Sequence, residues 1–299
     1  MSDAPELSIC IVSWNTRDLL DGCLRSIREA PDRIAREVIV VDNASADGTA
    51  AMVEQRHPEV ILIANDDNAG FAAANNQALR RARGSLKLVL NPDIIVHPHA
   101  LDRLADVLRR RPRAAGVAPR LILPDDRIQA SCRSFPTPDV VLYEVLGLSR
   151  LLPRSRRFGK YRMTWWGYDD ERTVDQPMAS ALMLRASALE EIGLFDESFP
   201  IFFNDVDLCK RLWEAGWQVW FTPEASMTHY GGASTSQTPR RMIVESHSSF
   251  LRFYALHYRG ALPGWQYWGT RALLRLSGWV RLGARDLLRA LALPCCRCR

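Results

Sequence analysis

The chain has no run of about 18 uninterrupted apolar residues, the length that a membrane-spanning helix needs, and it has no internal repeat or low-complexity segment. Neither a fibre nor a disordered chain is compatible with that pattern. Its start, Met1 to Cys10, holds Asp3 and Glu6 and has no basic stretch ahead of an apolar one. A secretory leader is therefore not expected, and the cytoplasm is the expected location. Cysteine is scarce, seven in 299 residues. Cys10, Cys23, Cys132 and Cys209 fall in stretches patterned as strand or helix, which predicts buried thiols rather than a disulfide framework. Cys295, Cys296 and Cys298 crowd the end and are assigned no role. No G-x-G-x-x-G follows the first strand and no Walker-type lysine loop occurs, which argues against a dinucleotide dehydrogenase and a P-loop enzyme. Acidic residues almost vanish after Arg240, where only Glu245 and Asp286 remain among many arginines. The net charge of +5 thus belongs to the last fifth of the chain.

What is present describes a globular enzyme-sized protein, 47% hydrophobic and 24% charged, with one or two domains. Leu7 to Ser13, Val38 to Asp42, Val60 to Ala64 and Leu86 to Asn91 pattern as strands, and Arg17 to Ala30, Asp47 to His57 and Phe71 to Arg83 as the helices between them. This alternation predicts an α/β fold with a mainly parallel twisted sheet and helices on both faces. Pro119 to Gln176 is less regular, interrupted by Pro124, Pro136, Pro138 and Pro153 and basic from Arg150 to Arg162, and is expected to be an insertion. Regularity returns with a strand at Ala179 to Arg185, a helix at Asp205 to Ala215 and a strand at Gln218 to Thr222.

Ligands of such sheets collect beyond the carboxyl ends of the strands. Those ends carry Ser13, Trp14 and Asn15, then Asp42 and Asn43, then Asn91-Pro92-Asp93. Asp42 suits a ribose hydroxyl or base N–H, although Asp-Asn-Ala-Ser is also ordinary turn chemistry. Gly70 and Phe71 open a small-residue helix that continues through Asn75 and Asn76, where either a ligand approaches the backbone or the alanines pack tightly on the sheet. Asp93 is a candidate hard-metal ligand, and His229, ahead of Gly231 and Gly232, is a candidate partner to it. Asn204 and Asp207 have capping-box spacing. Alternatively Asp205 or Asp207 is a general base for an attacking hydroxyl.

In this order the pieces resemble family 2 glycosyltransferases, which are inverting and have the GT-A fold. The resemblance runs from about Leu7 to Thr235. From Val174 to Thr235 the chain is similar to the bacterial rhamnosyltransferase branch, in Ser180-Ala181-Leu182-Met183-Leu184-Arg185, Gly193-Leu194-Phe195-Asp196-Glu197, Asp205-Val206-Asp207-Leu208-Cys209-Lys210-Arg211 and His229-Tyr230-Gly231-Gly232. The resemblance implies that Asp42 meets the donor base or ribose, that Asp93 is the last acid of the D-x-D motif and binds Mg²⁺ or Mn²⁺, that His229 reaches the metal or diphosphate, and that Asp205 is the base. It further implies a dTDP- or UDP-sugar donor, with L-rhamnose favoured, and a glycan or polyprenyl-linked acceptor. Two departures stand out: Asn91-Pro92-Asp93 replaces D-x-D, a change common in this branch, and Asn204-Asp205 replaces a Glu-Asp pair. A sugar nucleotidyltransferase, or a non-catalytic nucleotide-sugar or glycan-binding protein, is the alternative.

The sequence divides into residues 1–239 as the catalytic domain and 240–299 as a basic amphipathic extension. In a helix from Gly269 to Leu293, Arg271, Arg275, Arg281, Arg285 and Arg289 share one sector, and Leu273, Leu276, Val280, Leu287, Leu288 and Leu291 lie opposite. Leu274 and Leu282 do not fit this division. Trp265, Trp268 and Trp279 add anchors suited to the interface of an anionic membrane. The other expectation is a helix packed on the catalytic domain with its arginines in water. Nucleic acid is not an expected partner, because basic and aromatic residues separate onto faces.

Overall fold

The computed structural model describes residues 4–231 and 239–292. Four parallel strands form one half of the main sheet: β1 (Leu7–Ser13), β2 (Arg36–Asp42), β3 (Ile61–Ala64) and β4 (Leu86–Leu90). The other half is mixed, built from β5 (Ile94–Val96), β6 (Ala114–Ile122), β10 (Ala181–Arg185) and β11 (Gln218–His229), in the overall order β3-β2-β1-β4-β10-β6-β11-β5. β10 is antiparallel to both neighbours and β5 antiparallel to β11. Short β8 (Arg172–Thr173) pairs with β11, while β7 (Cys132–Arg133) and β9 (Gln176–Pro177) form a separate ladder.

Strand alternation sends side chains to two cores, because successive residues point to opposite faces. Ile9, Ile11, Leu88 and Leu90 meet the apolar stripes of α1 (Arg17–Glu29), α2 (Thr49–Arg56) and α4 (Ala100–Arg110), which supply Leu20, Leu24, Ile27, Met52, Leu101, Leu104 and Leu108. Cys10, Val41 and Val89 face α3 (Phe71–Arg81), α7 (Ala186–Ile192) and α8 (Asn204–Glu214) on the other side. Cys10, Cys23, Cys132 and Cys209 are buried free thiols. Burial pushes the thiols of Cys10 and Cys132 up to about 12, so they stay protonated.

Two strands differ from the sequence expectation for one reason. β6 crosses the start of the expected insertion and is central, with Pro119 inside it, and β11 continues past Pro223 to His229. A proline is tolerated within a sheet at a bulge. Pairing here jumps from Thr222–Pro119 to Ser226–Arg120, and the bulge therefore absorbs both prolines.

A third core joins α5 (Pro138–Val145), which is followed by the short α6 (Leu148–Leu151), to α8, α9 (Pro239–His257) and α10 (Gly264–Ala292). It contains Val141, Phe199, Val206, Phe253, Tyr254, Tyr258, Tyr267 and Leu274. Gly278 sits against His247 of α9 so closely that a Cβ would fall 2.8 Å from its ring. The C-terminal helices are thus packed on the α/β core, and α10 starts five residues before the expected Gly269. Leu274, a misfit in the sequence pattern, lies on the packed face. Arg271 is half-buried and donates to the Leu251 carbonyl and the Tyr267 hydroxyl, whereas Arg275 and Arg281 are exposed. Trp265, Trp268, Leu276, Trp279 and Val280 form an exposed apolar stripe. The side chains of Arg285, Leu287, Leu288, Arg289 and Leu291, and residues Cys295, Cys296 and Cys298, lie outside the described residues. Among the described residues no helix is long and apolar enough to cross a membrane.

Candidate active site

The carboxyl ends of β1, β2 and β4, the start of α8 and one side of α9 surround a cavity of about 520 Å³. That volume is in the range of sites for small-molecule ligands. Trp14, Asn43, Gly70, Phe71, Asn91, Asp93 and Asp205 line it, as do Ser180, Phe202, Met242 and Glu245. Of the other candidates, Ser13, Asn15, Asp42, Asn76 and His229 are not in the lining.

Several of these residues brace the cleft. Ser13 and Thr16 hydroxyls share a 2.8 Å hydrogen bond, and Asn15, left-handed at φ 52°, accepts from Ala46 N while its own N–H donates to Ser45 Oγ. These bonds tie the β1 loop to the β2 loop. Asn43 donates to Asn68 Oδ1 at 2.8 Å and accepts from Ala69 N at 3.0 Å, ordering the loop ahead of α3. Asn76 spends its amide on Phe195 N, Phe195 O and Glu197 Oε1, clamping the Gly193–Phe195 turn to α3. Asp42 is 4% exposed and its Oδ1 has no partner.

Gly70 does permit a close backbone approach, but the approaching group belongs to the protein. At φ 85° it lies where a Cβ would meet Pro200 O at 3.1 Å, and that carbonyl accepts from Phe71 N at 2.7 Å. The first N–H of α3 therefore holds the loop 199–203 in place. No backbone donor at Phe71 is left for a phosphate.

The start of α8 separates its acidic residues. The helix begins at Asn204 after Phe203 at φ 67°, with no side-chain cap, so the capping box expected for Asn204 and Asp207 does not form. Asn204 instead donates to the carbonyls of Ile201 at 2.8 Å and Phe199 at 3.3 Å. A glutamate there, when ionised, would have only acceptors to offer those two acceptors, which accounts for the amide in place of the carboxylate. Asp207 is buried and accepts from Arg211 Nε and His257 Nε2, both at 2.8 Å. Asp205 is half-buried and faces the cavity, and accepts from Val206 N at 2.9 Å and Ala179 N at 3.2 Å. Burial pushes its carboxyl above the ordinary range, against the opposing pull of those N–H groups. Asp205 is thus the acid of this pair with a base's environment and access.

The turn Asn91-Pro92-Asp93 carries the chain from central β4 to edge strand β5. Asn91 N donates to Ser180 O at 2.8 Å and Tyr230 N to Asp93 O at 3.0 Å, which stitches the end of β11 to the turn. Asp93 Oδ1 and His229 Nε2 lie 3.4 Å apart, both buried and both without a hydrogen-bond partner. His229 Nδ1 lies 2.7 Å from Gln129 Oε1, within hydrogen-bonding distance. Two unpartnered atoms this close fit a divalent cation, since each could reach one ion at about 2.1 Å. Among the described residues no three His, Cys, Asp or Glu side chains converge on such a point. Two protein ligands suffice where substrate phosphates and water complete the shell, the usual arrangement for Mg²⁺.

Gln129, Ser180, Met242 and Glu245 were not singled out from sequence. Ser180 stands in a motif-like phrase and its buried hydroxyl lacks a partner. Gln129, Met242 and Glu245 come from a turn and a helix whose approach to the cleft depends on tertiary packing.

Residues 8–169 match the family model of Glycosyl transferase family 2. The chain is 30% identical over 285 residues to the N-acetylglucosaminyl-diphospho-decaprenol L-rhamnosyltransferase of Mycobacterium tuberculosis, covering 90% of this chain and 91% of that protein. In fold it is similar to a mannosyltransferase from Pyrobaculum calidifontis solved with GDP-Man and Mn²⁺, at TM-score 0.58 and 19% identity, covering 98% of this chain and 76% of that one. It is also similar to GalNAc-T7 solved with UDP, GalNAc and Mn²⁺, at TM-score 0.61 and 12% identity, covering 87% of this chain and 49% of that one.

Proposed function

The chain belongs to the family 2 glycosyltransferases and has the GT-A fold, and from that premise we propose a metal-dependent, inverting transfer of L-rhamnose from a nucleoside-diphosphate donor to a hydroxyl of a lipid-linked glycan. The observation that carries the proposal is the placement of Asp93 and Asp205 on one cavity, the first beside His229 and the second raised in basicity by burial. The rhamnosyltransferase relative, similar along nearly its whole length, supports the sugar and the lipid-linked acceptor.

Asp42, with its unpartnered carboxylate oxygen, would accept from the donor's ribose or base, and Trp14 and Asn43 would border the nucleotide. Asp93 and His229 would hold Mg²⁺ or Mn²⁺, whose chemistry is to offset charge on the departing diphosphate. Asp205 would take the acceptor's hydroxyl proton as that oxygen attacks the anomeric carbon opposite the leaving group, and one displacement inverts the centre. A panel of nucleotide sugars tested for thermal stabilisation, with Mn²⁺ and with EDTA, checks this, since a ligand of the native state raises Tm. dTDP-rhamnose is expected to give the largest shift, smaller in EDTA and smaller in Asp93→Asn. Equal shifts with and without metal would count against the metal assignment.

The stripe of Trp265, Trp268, Leu276, Trp279 and Val280 is proposed to lie in the interface of an anionic bilayer. Its occupant follows from chemistry: tryptophans suit the headgroup level, exposed Arg275 lies beside them on the helix, and no acid occurs between Gly264 and Gly283. Next to α10, α5 and the residues after it expose Leu146, Leu151 and Leu152 near Arg150 and Arg154. Serine at Trp265, Trp268 and Trp279 together is expected to abolish sedimentation with vesicles containing anionic lipid and to leave Tm unchanged. Retained sedimentation would move the contact elsewhere.

A further inference from the structure

We propose that Gln129 is a positioning residue for the metal corner, its side-chain carbonyl holding His229 in the tautomer that leaves Nε2 as a bare lone pair toward Asp93. The inference rests on the metal assignment of Asp93 and His229. A carbonyl oxygen only accepts, so a 2.7 Å contact between Gln129 Oε1 and His229 Nδ1 puts the imidazole proton on Nδ1. When the ring carries this one proton, Nε2 has nothing to donate. It faces Asp93 Oδ1 at 3.4 Å, and neither atom has a hydrogen-bond partner. Two acceptors buried face to face repel each other and have lost water. A cation between them removes both penalties.

The backbone holds Gln129 firmly enough for this task. After β6 the chain turns back on itself: Asp126 takes a left-handed φ of 63°, Leu123 N donates to Arg127 O at 2.8 Å, and Ile122 bridges Ile128. Gln129 N then donates to Leu121 O at 2.9 Å, which sets the side chain beside the end of β11. Gln129 as a whole is half-buried. The opposite amide orientation would donate an N–H to Nδ1, move the ring proton to Nε2, and aim that proton at Asp93. Such a pair would close the corner with a hydrogen bond and oppose a metal. Partners of this kind around ligating histidines fix ring orientation and basicity, and their loss weakens metal affinity by about 10–100-fold.

Two substitutions separate the possibilities. Gln129→Leu removes the acceptor at similar size, and Gln129→Glu keeps an acceptor but no donor. Mn²⁺ binding is followed by loss of the free-ion EPR signal, with UDP and with dTDP present, in these variants and in Asp93→Asn and His229→Ala. Long-range ¹H–¹⁵N spectra of the metal-free protein report the tautomer of His229. The expected result is binding weakened about 10–100-fold in Gln129→Leu, retained in Gln129→Glu, with the Nδ1–H tautomer dominant in the wild type and lost in the leucine variant. Tm in EDTA should be the same for wild type and the glutamate variant. Wild-type affinity in Gln129→Leu, with loss in Asp93→Asn and His229→Ala, overturns the role of Gln129 alone. Wild-type affinity in all four overturns the metal corner and Gln129's role together. An Nε2–H tautomer in the wild type also overturns the proposal, whatever the affinities.

Discussion

Asp205→Asn lowers the rate of sugar transfer by about 10²–10⁴, the range that a general base supplies, and leaves the donor's Kd unchanged. The asparagine keeps the shape and an acceptor for Val206 N or Ala179 N, so the loop at the start of α8 stays in place. What it loses is the ability to take a proton. Donor binding is assigned to other residues in the proposed function, and a change confined to kcat is the signature of an interaction made in the transition state. The same variant carries a pH signature of opposite sign in stability. Asp205's carboxyl is raised by burial in the folded chain, so the folded state holds the proton more tightly than the unfolded state does. That contribution to stability is present below the ordinary carboxylate pKa of about 4 and is lost as pH climbs through the higher folded value. The Tm of the variant relative to wild type should therefore rise as pH climbs above about 4. Scanning calorimetry across that window measures it. Full turnover in Asp205→Asn would discard the assignment, and Glu245, the acid that α9 brings to the cavity, would be the next candidate.

Removal of residues 264–299 lowers Tm by more than about 10 °C or leaves the protein insoluble. Tyr267 and Leu274 are 4% and 3% exposed, packed among Phe253, Tyr254, Tyr258, Phe199 and Val206. Truncating one such side chain costs about 2–5 kcal/mol, and a shift of about 2–4 °C accompanies each kcal/mol in a protein of comparable size. The whole stability of a domain is only about 5–15 kcal/mol. Activity should fall with Tm, because Phe199 and Val206 flank the start of α8 that presents Asp205. Thermal unfolding of the shortened chain beside the tryptophan-to-serine variant distinguishes the two roles of α10: the first variant loses its core, the second only its outer stripe. A chain ending at residue 263 with an unchanged Tm would make α10 an appendage.

Much of this was legible in the sequence where the signal is local. β1 to β4, the helices between them, the Asn91-Pro92-Asp93 turn and the acidic start of α8 all follow from alternation, helical period and turn chemistry within a few residues. β6 was hidden because Ala114-Ala115-Gly116 lacks the branched residues of a typical strand and Pro119 reads as a break. Its strand character comes from partners on both sides, β10 and β11. The network around Asp207 was equally invisible, since His257 lies fifty residues away on a helix whose approach depends on the third core. Gln129 and His229 are a hundred residues apart. Asn204 was noticed as a departure, but the reason for it needed the carbonyls of Phe199 and Ile201.

The bulge opposite Pro119 also has a parity. Before it, Val219 and Phe221 face the core under α3 and α8, and Ala225 at its end and Met227 beyond it face the core under α1 and α4, although all four are odd-numbered. Three extra residues invert the phase of the strand. Were the alternation unbroken, His229 would fall on the face of Val219 and Phe221. Insertions or deletions of two residues in this bulge preserve the side on which the imidazole emerges, and changes of one or three reverse it. The length of this short irregularity, modulo two, therefore constrains how the chain can vary without losing its histidine from the corner beside Asp93.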